Sequence, residues 1–368
     1  MQKKYFLLTF IFSVIFSFSQ NYTISGKVTN KNNGETLFGA EILTNDYKRG
    51  TTTNGYGFYN LNLPKGKYTL IINYLGFENQ TKEIDLTKDL TLNFALSETS
   101  NTLNEVVISS KEAKIRSKLK KAQMSVTQLS VKTIKKAPVV FGEVDILKTI
   151  TLLPGVTTNG EGASGFNVRG GASDQNLVLL DEATIYNTSH LFGFFSVFNA
   201  DAIKNLNLYK GGIPAKYGGR IASVLDVRQK DGNNKEFHIN GGIGLISSRL
   251  LLEGPIKKEK ASFLIAGRAS YANLFLKAAK NDNRVGFFDL NTKLSYEFNE
   301  NNRLFLSGYF GQDTFKLSNF FNSSYGNNTF NLRWNHLFNP KLFSNLSLIY
   351  SKYNYNLTFN TLDFKWKS

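Results

Sequence analysis

The chain has 368 residues, well beyond the ~150 typical of one domain, so two or three structural units are expected. Its 44 Lys+Arg against 28 Asp+Glu give a net charge of +16, with 20% charged and 41% hydrophobic residues, which excludes an acidic disordered tail and a chain too polar to bury a core. Cysteine is absent and His190, His238 and His336 lie far apart, which excludes disulfide frameworks, thiol catalysis, Cys-ligated metals and a His-rich metal site.

At the N-terminus, Lys3 and Lys4 precede an apolar run from Tyr5 to Phe18, and Ser17-Phe18-Ser19 supplies small residues at a cleavage site. Residues 1–19 therefore read as a secretory signal peptide. The run is shorter than the ~20 residues a membrane helix needs. No Cys follows it, so a lipid anchor is not expected. An exported chain without a second such run can enter a membrane only as a closed barrel, because lipid offers no partner to unpaired backbone groups.

Residues 20–97 alternate in strand fashion around turn residues. Tyr22–Val28 reads as a strand, Asn32-Asn33-Gly34 as a turn, Ala40–Thr44 as a strand, and Tyr68–Tyr74 as another after the turn Pro64–Lys67. Short strands at this spacing predict a β-sandwich of about 75 residues. The pattern Gly26-x-Val28, Gly39-Ala40, Thr53-x-x-x-Gly57-x-Tyr59, Leu63-Pro64-x-Gly66-x-Tyr68 and Tyr74-x-Gly76-Phe77 resembles the carboxypeptidase regulatory-like, transthyretin-like domain. That resemblance implies a binding or spacer module. Gly66-Lys67 is not a phosphate loop, since Leu61 stands where that motif requires Gly.

The linker, residues 98–118, is polar and then strongly basic. It carries one β-prone stretch, Leu103–Ser109. A short apolar strand without a core is either the last strand of the sandwich or a handle that another protein adds to its own sheet. Residues 119–232 mix types: a helix through Val144–Ile150 stopped by Pro154-Gly155, then Gly-rich strands including Asn176–Asp181, Ala202–Gly212 and Tyr217–Val227. The pairs Gly170-Gly171, Gly211-Gly212 and Gly218-Gly219 mark backbone that passes close to other structure or takes positive φ.

From Glu236 onward the period is two. Phe288, Leu290, Thr292, Leu294, Tyr296 and Phe298 alternate with Asp289, Asn291, Lys293, Ser295 and Glu297, and similar alternation runs through 261–271 and 329–338. A water-soluble sheet could alternate in the same way, with its apolar face on a core. Strands are expected near 236–243, 246–256, 261–271, 286–298, 303–315, 328–338 and 342–359. Short connections at 257–260, 299–302 and 339–341, against longer ones at 272–285 and 316–327, match the habit of outer-membrane barrels, as do 31 Phe and 17 Tyr with only 6 Pro. Residues 233–368 are thus read as a partial barrel. Single-chain bacterial barrels have even strand numbers, and a plug of this size needs about 22, so the chain is expected to be a fragment of a longer protein. The lysines are spread over strands and turns, so basic charge does not point to nucleic acid.

The order of signal, sandwich, linker strand, Gly-rich domain and strands resembles the TonB-dependent outer-membrane receptors with an N-terminal carboxypeptidase-like extension. The most specific stretches are Phe166–Gly171, Val178–Asn187 and Leu208–Arg220, which hold Gly170, Gly171, Asp181, Gly211, Gly212, Gly218 and Gly219. The fold class is therefore mainly β: an N-terminal β-sandwich, an α+β plug at 119–232, and about seven of some 22 strands of a transmembrane antiparallel barrel.

This resemblance implies that Glu105, Val106, Val107, Ile108 and Ser109 form a TonB box. TonB, with ExbB and ExbD in the inner membrane, would pull on it to displace the plug and import a large scarce solute. Arg169 and Arg220 look like plug arginines that pair with barrel glutamates beyond residue 368. Tyr186, His190 and Phe192 are expected to line the ligand site, with apolar packing against the wall as the alternative. The relatives that import glycans carry an acidic plug signature where this chain has Tyr209–Gly212, which favours a metal chelate over an oligosaccharide served by a surface lipoprotein. A binding or signalling role through the sandwich is the other alternative. No zinc spacing, Ser/His/Asp set or close carboxylate pair suggests an enzyme, and no cofactor or metal is expected.

Overall fold

The computed structural model describes residues 21–99, 125–130, 134–135, 142–158, 160, 165–317, 320–359 and 362–367. The export signal at 1–19 and the TonB-box stretch Glu105–Ser109 lie outside the described residues. The chain divides into two compact units, one built on the sandwich and one on the plug and the wall strands.

The sandwich has two sheets. Phe58–Pro64, Asn21–Asn30 and Leu90–Thr91 form one, with Phe94–Leu96 also on Asn21–Asn30; Gly50–Thr52, Glu41–Thr44, Gly66–Asn73 and Gln80–Leu86 form the other. Ile24, Val28, Ile42, Leu61, Leu63, Leu70 and Ile72 fill the core between them. Two residues of the motif have evident causes. A Cβ on Gly26 would sit 1.8 Å from the Leu92 carbonyl oxygen, so only glycine fits. The buried Thr53 hydroxyl accepts from Ala40 N (2.9 Å) and donates to the Leu37 carbonyl (2.5 Å), closing a turn that would otherwise bury unpaired backbone.

The plug is a five-stranded mixed sheet in the order Ala183–Thr184, Asn176–Leu180, Ser223–Gln229, Ile203–Tyr209, Val126–Ser130. The two central strands run parallel, with Val178 opposite Leu225. The expected helix forms over Ile146–Ile150, two residues later than its apolar pattern begins. Asp145 caps it by accepting from Lys148 N (2.9 Å) with one carboxylate oxygen, while the other accepts from Ser196 N (2.6 Å). Ile146, Ile150, Val178, Leu206, Leu208, Leu225 and Val227 close the core.

Eight antiparallel strands form the wall in sequence order: His238–Ile243, Ser247–Lys257, Ala261–Ser270, Arg284–Asn299, Asn302–Leu317, Phe321–Asn339, Leu342–Phe359 and Leu362–Lys367. All seven expected strands are present, and the eighth was not foreseen. The expected long connection at 316–327 is absent: Phe321–Asn339 pairs continuously with Asn302–Leu317, from Asn302 opposite His336 to Leu317 opposite Phe321. The segment Asn322–Asn328 has turn composition, yet Ser323, Tyr325, Asn327 and Thr329 alternate as buried positions. A wall whose inner face is polar accepts Ser and Asn as strand residues. Of the connections expected to be long, only the one at 272–285 is, and it contains the helix Ala272–Ala278.

The two faces of the wall reverse the order of a water-soluble sheet. Phe288, Leu290, Leu294, Tyr296 and Phe298 are exposed, whereas Asp289, Asn291, Lys293 and Ser295 are buried. Among the described residues no helix is long and apolar enough to cross a membrane. The wall strands of 16–19 residues exceed the 9–11 or so that a tilted strand needs to cross. Leu290→Arg, at mid-strand on the outer face, should therefore lower unfolding stability in lipid vesicles by about 2–4 kcal/mol, read from denaturant titration.

Candidate functional site

The chemistry of the second unit lies where the plug meets the inner face of the wall. Sequence places polar and charged residues at many of the inward wall positions. The fold then has to satisfy each charge it buries there, since an unpaired buried charge is costly.

The plug strand Asn176–Leu180 ends in a two-residue turn, Asp181-Glu182, with φ of 47° and 75°. Two non-glycine residues in the left-handed region cost free energy that surrounding contacts must offset. Here both side chains engage cations. Lys293, almost fully buried on the wall, places its ammonium 2.9 Å from Asp181 Oδ2, 3.0 Å from Asp231 Oδ1 and 3.0 Å from the Gln229 carbonyl. The Gln229 carbonyl accepts a hydrogen bond from it and the two carboxylates pair with it as ions, all from the plug. Asp231 also meets Lys204 at 3.2 Å. Burial opposes ionisation of Asp231, but Lys204 and Lys293 hold its carboxyl well below the usual range.

Glu182 meets Arg228 of the plug at 2.8 Å and Arg333 of the wall at 3.8 Å, and accepts from the Ser347 hydroxyl. Burial pushes its carboxyl up, and the two guanidiniums more than reverse this, leaving it at about 2. The Arg333 guanidinium stacks over the inward ring of Phe305, 4.3 Å from its centroid. Asp201 pairs with Arg249 of the wall at 2.7 Å and with Lys135 at 2.9 Å.

Toward the wall end where Arg284–Asn299 begins and Asn302–Leu317 finishes, Arg268 joins Glu143 of the plug (3.1 Å) to Asp289 of the wall (2.7 Å) and donates to the Ser196 carbonyl (2.7 Å). Glu143 also accepts from the Ser247 hydroxyl. His190 lies between two wall aspartates, 3.0 Å from Asp289 and 2.7 Å from Asp313.

The residues singled out from sequence fall into three groups. Asp181 is central to the interface. Arg169 and Arg220 are both exposed: Arg169 donates to the Ser125 hydroxyl (3.0 Å), and Arg220 donates to its own neighbour's carbonyl, Gly219 (2.7 Å). Neither meets a carboxylate among the described residues. Arg169-Gly170, with φ of 51° and 80°, is a tight turn closed by Gly171 N to the Val168 carbonyl (2.9 Å). A Cβ on Gly171 would lie 2.6 Å from that of Ala222. Gly212 and Gly219 likewise take positive φ, a Cβ on Gly211 would lie 2.9 Å from Arg169 Nη1, and Gly218 has open space.

Of the expected lining residues, Tyr186 and Phe192 are about two-fifths exposed, while His190 is buried at 1% with both ring nitrogens engaged, and so does not present an open surface. Sequence reasoning passed over Arg268, Lys293 and Arg333. The available signal was a charged side chain at an inward position of a membrane strand, an expensive placement that needs a partner. Among the described residues no cluster of His, Asp and Glu suits a metal ion.

A wall apolar outward and polar inward, with an α+β domain ion-paired to its inner face, is the arrangement of a plug seated against the strands of a partial barrel. Two domain models agree: residues 24–108 match the CarboxypepD_reg-like domain, and residues 118–224 match the TonB-dependent Receptor Plug Domain. TonB-dependent receptor P3 of Formosa agariphila is 33% identical over 90 residues, 24% of this chain and 9% of that protein. The siderophore receptor PirA of Acinetobacter baumannii superposes with a TM-score of 0.50 at 16% identity, over 71% of this chain and 45% of that one. The siderophore receptor PirA of Pseudomonas aeruginosa gives 0.48 at 16% identity, over 66% and 43%. The chain thus spans less than half the length of these relatives, and within that span it carries a CarboxypepD_reg-like domain and a TonB-dependent receptor plug domain.

Two outcomes follow for the interface. Lys293→Met leaves Asp181 and Asp231 without their shared wall cation and should cost about 3–5 kcal/mol of plug stability, measured by denaturant unfolding followed at plug residues. Because Glu182 is held at about 2, below its ordinary 4.5, its stabilisation is complete above pH 4.5 and is lost as pH falls toward 2. Glu182→Gln should flatten the acid-unfolding profile in that window and leave the profile above it parallel to that of the wild type.

Proposed function

We propose that the chain is the energised gate of an outer-membrane importer, exported by residues 1–19, in which a solute bound at the outward end is released inward when TonB displaces the plug. The reversed wall carries this reading: a sheet that exposes Phe and Leu while burying Asp, Asn and Lys against a folded domain suits a lipid-embedded barrel with a stopper.

An outer membrane that holds no ion gradient must receive its energy mechanically. The stretch Glu105–Ser109, placed between the sandwich and the plug, is the grip: it would add as a strand to TonB's sheet, where backbone hydrogen bonds give affinity with little demand on side chains. ExbB and ExbD drive the pull from the inner membrane. Arg169 and Arg220, exposed on the plug, serve as further fasteners for wall carboxylates. Tyr186 and Phe192 face the solute. The solute class that fits Tyr209–Gly212, in place of the acidic glycan-type signature, is a metal chelate.

The test is Val107→Pro in the receptor in cells. Proline removes a donor from the added strand, so energised uptake should fall at least tenfold while surface binding of the solute persists. Undiminished uptake would overturn the assignment of the grip.

A further inference from the structure

The plug hairpin Ser189–Ser196 is held in an unusual way. Ser189–His190 pairs with Phe195–Ser196, and the turn between them places Leu191 at φ 49°, Phe192 at φ 55° and Gly193 at φ 108°. Two adjacent non-glycine residues in the left-handed region do not persist on local preference alone. The turn exposes Phe192 and Phe194, which are 41% and 46% accessible.

The holding contacts come from the wall. Asp313 accepts from Leu191 N with Oδ1 (2.8 Å), and its Oδ2 lies 2.7 Å from His190 Nδ1. The Tyr325 hydroxyl accepts from Phe192 N (3.1 Å). On its other side the His190 ring places Nε2 3.0 Å from Asp289 Oδ2, which also accepts from Arg268 Nε (2.9 Å) and Nη2 (2.7 Å). Phe287 stacks on the ring at 4.4 Å.

Carboxylates only accept, so a ring bonded to one at each nitrogen must donate from both. We infer that His190 is a positioning residue, carried as an imidazolium between Asp289 and Asp313, which fixes the strained turn presenting Phe192 and Phe194. The charges around it agree. Glu143, Asp289 and Asp313 are three carboxylates facing two cations, Arg268 and His190; loss of the ring proton leaves three facing one. The other titratable groups packed here are Tyr309, whose hydroxyl lies 3.4 Å from Nε2, Tyr325, and Asp145, which accepts from Ser196 N at the hairpin's end (2.6 Å). Burial favours the neutral ring, but the hydrogen bonds to Asp289 and Asp313 prevail and raise its proton affinity above the ordinary value.

Stabilisation of the turn is then complete below the ordinary histidine value of 6.5 and is lost as pH rises through the elevated one. The clamp stands on geometry alone; only the statement that its aromatics face a solute rests on the proposed function.

The experiment uses the receptor in detergent, with no solute and no TonB. In ¹⁵N-histidine spectra, assigned by difference from His190→Asn, both His190 ring nitrogens should be protonated at pH 7.5. Hydrogen exchange at Leu191 and Phe192, corrected for intrinsic rates, should accelerate at least tenfold above the titration, while Val178 and Leu225 in the plug sheet stay unchanged. In His190→Asn, exchange at Leu191 and Phe192 should be fast at every pH. A neutral ring at pH 7.5, or pH-independent exchange at Leu191 and Phe192 in the wild type, overturns the inference. Neither readout involves import, so a receptor that fails to import leaves this result intact, and an importing receptor with a neutral His190 defeats the clamp alone.

Discussion

A charge withdrawn from water must find an opposite charge, and this requirement organises the plug–wall unit. The wall gives its apolar side to the exterior, so its polar residues turn inward and lose solvent when the plug seats. Lys293 shows the result: an ammonium almost fully buried, with three plug acceptors within 3.0 Å. Buried pairs of this kind add little net stability over apolar packing, yet they penalise any arrangement that separates one partner. They therefore specify a seated position more than they strengthen it.

The direction of charge is a distinctive feature. Across the described strands the plug supplies mainly carboxylates, Glu143, Asp181, Glu182, Asp201 and Asp231, and the wall supplies Arg249, Arg268, Lys293 and Arg333. The two plug arginines singled out from sequence stay exposed. His190 and Lys230 run against the pattern, as plug groups beside wall carboxylates: Asp289 and Asp313 for the first, Glu253 for the second. Seating by discrete polar contacts has a mechanical corollary: once water reaches such a pair, its attraction falls steeply with the rise in dielectric.

Much of the fold was legible because its causes are local. Period-two alternation located seven wall strands; Pro154-Gly155 marked the stop of the plug helix; and the paired glycines marked a turn at Arg169-Gly170 and a close approach at Gly171. The reading failed at 316–327, where Ser, Asn and Gly signal a turn in water but suit a strand whose inner face is polar and packed. For His190 it offered either a lining surface or packing against the wall, without the means to find the ring's partners. The two aspartates that bury it come from positions 99 and 123 residues away in the chain.

By itself, then, the sequence determined the strand periods, the domain order and the glycine-dependent turns, since each depends on residues within a few positions of one another. Alternation alone left open which face of the wall strands turns outward, since the same pattern serves a soluble sandwich and a lipid-facing barrel, and only connection lengths and aromatic content favoured the barrel. Only the tertiary structure decided that the apolar face is the exposed one, and only it chose the partners of Lys293, Arg268 and His190. Pairing of buried charges is settled by distances across space, to which neighbours in the chain contribute almost nothing.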